Sequence, residues 1–141
     1  MTKIDNTIQL GRCIQTILEE NEEVLAIVGD VSKIFGLRMP KELVFPFVHY
    51  ERLGMIVNYT KDNGYLNGWS DEITFSIGCV SNDYEQSIDL GNAVRHAIEG
   101  YQWHEAGFMW FDPIEITNVI EYETNEMFVQ EIQIRISAQP C

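Results

Sequence analysis

Basic residues are scarce in this chain. Nine Lys and Arg stand against twenty-two Asp and Glu, for a formal net charge of −13 over 141 residues. Phosphate contacts need Lys and Arg, so the balance argues against a nucleic-acid binder, and against an anionic membrane surface for the same reason. Cysteine is scarce as well: Cys13, Cys79 and Cys141 lie far apart with no CxxC pair. An odd count without framework spacing points to a reducing compartment. No run approaches the ~18 apolar residues of a membrane span, and Met1-Thr2-Lys3-Ile4-Asp5-Asn6 lacks the apolar stretch of a signal peptide. The ten glycines are scattered, without a GxxxxGK[ST] loop, and no serine sits in GxSxG. The reading is of a protein without catalytic or cofactor chemistry.

What is present is a chain of ordinary hydrophobic content, 45%, rich in aromatics: three Trp, six Tyr and seven Phe. A chain of this length buries roughly two-thirds of its unfolded surface and needs neither disulfide nor metal to fold. It reads as one domain, 1–141. The aromatics suit either a core of large side chains or a sticky interface.

Residues 71–100 organise the rest. Ile73, Phe75, Ile77 and Cys79 alternate with Glu72, Thr74 and Ser76, the pattern of a strand with one buried face. Ser81-Asn82-Asp83 then starts a helix. Its stripe is Tyr84, Ile88, Gly91, Val94 or Arg95, and Ile98, widened by Leu90 and Ala97, and Gly100 stands at its C-terminal cap. Upstream, Thr2 or Asp5 can cap a helix running to about Glu20, with Leu10, Ile14, Ile17 and Leu18 on one face. Gly11 on that face suggests close packing against a neighbour. A short helical turn follows through Val24, Leu25 and Val28, then a short strand at Ile34-Phe35 and a strand after Pro46. Residues 53–70 form a long hairpin or a loop whose apolar side chains have no evident core role. A second aromatic cluster falls at 103–111. The chain closes with a β-hairpin, Ile114 to Tyr122 and Phe128 to Ile136, read as burying one face and carrying Glu115, Glu121, Glu123 and Glu131 on the other. The fold class is α+β: a two-layer sandwich, a mostly antiparallel sheet with two long helices on one face.

His49, His96 and His104 form no metal-ligand spacing and read as helix-end or loop residues. The pairs Glu19-Glu20, Glu22-Glu23 and Glu121 with Glu123 read as solvated surface rather than catalytic carboxylates.

Four features carry a family resemblance: the N-terminal helix followed by Val24-Leu25-Ala26-Ile27-Val28-Gly29 and Ile34-Phe35; Pro46-Phe47-Val48-His49-Tyr50; Phe75-Ser76-Ile77 leading to the helix around Leu90-Gly91-Asn92-Ala93; and the closing hairpin with Phe128 and Ile132-Gln133-Ile134. In these the chain resembles the tail-completion or tail-terminator proteins of long-tailed phages and prophages. The resemblance implies a homo-oligomeric ring, commonly sixfold, that caps the tail tube and joins it to a neck or connector protein. Such a protein resides in the virion and is assembled in the host cytoplasm. DNA then passes through without specific binding, and neither membrane, metal nor cofactor is involved. The candidate subunit or tail-tube contacts are Met55, Ile56, Val57, Tyr59, Tyr65, Trp69, Trp103, Phe108 and Trp110. The candidate acidic lining is Glu115, Glu121, Glu123 and Glu131. The rival readings are a neck component, a small-molecule binding module using the aromatic cluster as its pocket, and a metal-assisted hydrolase using the histidines.

Overall fold

The computed structural model describes residues 10–38, 40–59, 69–101, 110–111 and 113–139, and for 57–59, 69–70, 110–111 and 139 the backbone alone. In chain order its elements are α1 (Leu10–Glu19), α2 (Glu22–Val28), a 3-10 turn (Val31–Lys33), β1 (Ile34–Gly36), β2 (Phe47–Tyr59), β3 (Trp69–Ser81), α3 (Tyr84–Ile98), β4 (Trp110–Phe111), β5 (Glu115–Thr124) and β6 (Met127–Gln139).

Strand β3 lies where the alternation is strictest, and Ile73, Phe75, Ile77 and Cys79 are all buried on one face. On one side β2 runs antiparallel to it, from Phe47 opposite Val80 to Tyr59 opposite Trp69. On the other, β6 runs antiparallel from Asp71 opposite Ala138 to Ser81 opposite Phe128. β1 joins β2 in parallel, while β4 and β5 both pair with β6. The order is β1-β2-β3-β6, with β4 and β5 along the outer side of β6. The α+β class holds, and the sheet is mixed because of the one parallel pair.

Local chemistry sets the helix ends. Asn21 caps α2, its side-chain oxygen accepting from the Val24 N–H at 3.0 Å. Asp83 caps α3 by accepting from the Glu85 N–H at 3.3 Å. After α3 the chain turns at Gly100, whose φ of +78° suits a residue without Cβ. The buried stripe of α3 is Ser87, Leu90, Gly91, Ala93, Val94 and Ile98. It is rotated from the expected one: Tyr84 and Arg95 are exposed and Ile88 half-buried. Gly91 lets the helix approach the sheet, since a Cβ there would lie 3.2 Å from Cβ of Gln130. Gly11 has no such role, because a Cβ there meets nothing within 4 Å among the described residues. The Thr2 or Asp5 cap falls outside the described residues.

The buried side chains of α1, α2 and α3 join one face of the sheet in a single cluster that includes Ile14, Leu18, Val48, Ile77, Leu90, Val94, Ile132 and Ile134. Each fully buried aliphatic side chain there contributes roughly 1.5–3 kcal/mol. Cys13 and Cys79 belong to it as small apolar residues. Burial pushes the Cys13 thiol up to about 12 and the Cys79 thiol higher still. A smaller cluster of Phe47, Val80 and Val129, packed by Phe35, Leu43 and Phe45, covers one end of the opposite face.

Candidate assembly surfaces

The closing hairpin departs most from its sequence pattern. β5 pairs with β6 over its whole length, yet nine of its ten residues are exposed. Val119 is 48% exposed, Ile120 37% and Tyr122 43%. The register shifts between Ile116 and Asn118, so Thr117 is an extra residue, a β-bulge. Since side chains alternate with period 2, one inserted residue sends everything after it to the opposite face. Ile116 lies opposite Ile134, on the core side, and packs against the core; Ile120 and Tyr122, opposite Glu131 and Val129, point away from it.

The four carboxylates of the expected acidic lining are therefore divided. Glu121 and Glu123 lie on the helix side, opposite Gln130 and Phe128. There Glu121 accepts from the Tyr84 hydroxyl at 2.9 Å and from Gln130 Nε2 at 2.8 Å, tying the hairpin to the start of α3. The hydrogen bond to Glu121 also pushes the Tyr84 hydroxyl above its usual range. Glu115 and Glu131 lie on the other face, helix-free among the described residues, opposite Arg135 and Ile120. Glu115 forms an ion pair with Arg135, and Glu131 accepts from Gln133 Nε2 at 2.8 Å.

The helix-free face is still acidic, but through a different set. Register places Glu51 of β2 and Glu72 of β3 on it beside Glu115 and Glu131, with Arg135 as their one cation among the described residues of these strands. The proximity of Glu131 and Glu51 is felt at Tyr122, whose hydroxyl is pushed up by partial burial and then by those two carboxylates. Position in the sheet rather than spacing in the hairpin assembles this face, so Glu51 and Glu72 could not be picked out from the hairpin alternation.

The opposite edge has another character. β1 ends at Gly36, and the next residue, Leu37, adopts a φ of +53° and is 74% exposed. The turn is pinned by the Leu37 N–H donating to Tyr50 O at 2.7 Å and by His49 Nε2, 2.9 Å from Leu37 O. Val44 is 63% exposed nearby in sequence. A cleft of about 260 Å³ opens between this corner and α1, lined by Gly11, Gly36, Leu37, Tyr50, Glu51, Arg52 and Phe75. That is below the ~300–1,000 Å³ usual for small-molecule sites. Tyr50 donates to Gln15 Oε1 at 2.6 Å across the helix–sheet junction.

Of the residues singled out as contacts, Ile56 is exposed, whereas Met55 is half-buried and packs against the core. The difference comes from a second register shift, between Arg52 and Gly54, which makes Leu53 the bulged residue and turns Met55 inward. Val57, Tyr59, Trp69 and Trp110 are described by backbone alone, in β2, β3 and β4. Tyr65, Trp103, Phe108 and His104 lie outside the described residues, as does the aromatic pocket of the binding-module reading. His96 Nδ1 is 3.7 Å from Glu23 Oε2 on the surface, far in the chain from His49. Among the described residues no three His, Cys, Asp or Glu side chains cluster as a metal site, and no helix is long and apolar enough to cross a membrane.

No family model and no curated protein matches this chain. Among solved structures, a chain from the "Virion of native gene transfer agent (GTA) particle" superposes with a TM-score of 0.69 at 14% identity, covering 89% of this chain and 91% of that one. At that identity the two share a fold.

Proposed function

We propose that this chain is a structural subunit of a phage-like virion, a ring-forming tail-terminator or completion protein that joins the tail tube to the neck and has no catalytic role. The observation that carries the reading is the fold shared, over nearly the whole of both chains, with a component of a gene transfer agent virion. The residue-level resemblance to phage tail-completion proteins supports the same reading from sequence. In the ring, commonly sixfold in proteins of this kind, the helices and the sheet form a two-layer subunit whose acidic helix-free face lines the passage. Glu51, Glu72, Glu115 and Glu131 then keep DNA moving past without binding it. Its partners are further copies of itself, the tail-tube protein and a neck or connector protein.

The test is removal of the gene from a strain that produces the particles. Tails are expected to fail to join heads, and complementation should restore joined, infectious or transducing particles containing the protein. Normal particle yield without the chain contradicts the reading. If the protein is found by labelling above the tail end, within the neck, the neighbouring connector role replaces the terminator.

A further inference from the structure

Each side of the sheet carries exposed apolar residues, and the exposed charges without an ion pair differ in net sign between the two. On the β5 side stand Val119, Ile120 and Tyr122, and residues 115–126 carry four glutamates with no Lys or Arg. On the β1–β2 side stand Leu37 and Val44, and residues 33–52 hold Lys33, Arg38, Lys41 and Arg52 against Glu42 and Glu51. Four of the nine basic residues of a chain with net charge −13 thus fall in one corner. Arg38, Lys41 and Arg52 are exposed and form no ion pair among the described residues. Neither do Glu123 and Glu126 on the other side, both exposed.

The two patches also sit at one level. β1 pairs with β2 at Val48 to Tyr50, close to the Phe47 end that faces Val80. The β5–β6 turn follows Thr124 opposite Met127, beside the Ser81–Phe128 pair at that same end. β1 and β5 stand four strand spacings apart in the order β1-β2-β3-β6-β5, roughly 19 Å at ~4.8 Å per strand. Unlike patches on opposite sides and at equal height are what a heterologous, rotationally closing contact requires.

We infer that the acidic β5 edge of one copy docks on the basic β1–β2 corner of the next, Glu123 on the helix side and Glu126 at the turn meeting Arg38 and Lys41, while Ile120 and Tyr122 on the other side of the same edge meet Leu37 and Val44. The contact is head-to-tail, so each copy uses both patches, once each. Opposite charges steer the encounter and set the direction, and the apolar residues hold it once water is expelled. The inference deepens the ring reading by naming its joint, and rests on that reading only for the existence of self-association.

Two double charge reversals test it: E123K/E126K on the edge and R38E/K41E on the corner, each checked for native circular dichroism and melting. In sedimentation velocity the wild type is expected to associate with rising concentration. Each variant alone should lose at least about tenfold in apparent affinity, because both its patches then carry one sign. Mixed one to one, the variants should associate again, since every edge then meets a corner of opposite charge in an alternating chain. Variants that associate as the wild type does, or a mixture that stays as dissociated as its components, overturn the joint and leave the ring reading standing. A wild type that stays monomeric to millimolar concentration overturns both.

Discussion

Strands β3 and β5 look alike in sequence and behave oppositely in the fold. Both alternate apolar and polar residues, and both sit in the same sheet within one strand of each other. In β3 the apolar set is buried: Ile73, Ile77 and Cys79 are wholly inaccessible. In β5 the apolar set is divided by Thr117 and most of it faces solvent. Alternation therefore marks a strand, whereas burial depends on what lies across each face, and an edge strand with a bulge has two partly open faces. An edge that keeps Ile120 and Tyr122 exposed is the surface that the proposed joint requires, and edges of that kind are usually blunted in chains that do not pair there.

The contrast can be broken most forcefully at β3. Ile77→Ala is expected to cost about 2–5 kcal/mol in urea unfolding, as a cavity opens in the main cluster. A cost under 1 kcal/mol would show that β3 is not the centre of the core.

A second test reaches the same strand through pH. The thiols of Cys13 and Cys79 are raised above their usual 9.0 by burial, so the unfolded chain ionises first as the pH rises. Stability from these thiols is complete below pH 9 and declines above it, through the Cys13 value of about 12. The decline is about 1.4 kcal/mol per pH unit for each thiol. Replacing Cys79 by Ala should flatten that slope by one thiol's share, read from melting curves between pH 8 and roughly pH 11. An unchanged slope would mean that the thiol ionises without unfolding.

Smaller effects separate structural from contact residues. Asn21→Ala removes the cap of α2 and should cost about 1 kcal/mol. Ile120→Ala should change the stability of the isolated chain by no more than about 0.5 kcal/mol while weakening self-association. A large loss of stability at Ile120 would place it in the core and remove it from the joint.

Much of the scaffold was legible because local chemistry and the global fold agree. Residues 71–100 give the strand, the Asp83 cap and the αL glycine as the sequence suggests. The rotation of the α3 stripe was not legible. Ser87 is buried because its hydroxyl bonds Tyr84 O at 2.6 Å and receives Gln130 Nε2 at 3.4 Å, a satisfaction that a hydropathy pattern cannot register. The bulge at Thr117 escaped for a different reason. Ile114, Ile116, Ile120 and Tyr122 keep even spacing, so counting places them on one face even though the inserted residue moves the last two to the other. The candidate surface followed the same rule: the glutamates of the hairpin were visible, but the sheet order that adds Glu51 and Glu72, and sets acid opposite base across the molecule, was not.

The central claim, that the β5 edge is covered by another copy, is read most directly by amide hydrogen exchange across a concentration series. Amides in residues 118–124 should slow markedly as the protein associates, while those of β3 stay slow throughout. Exchange in 118–124 that remains as fast in the associated protein as in the dilute monomer would contradict it.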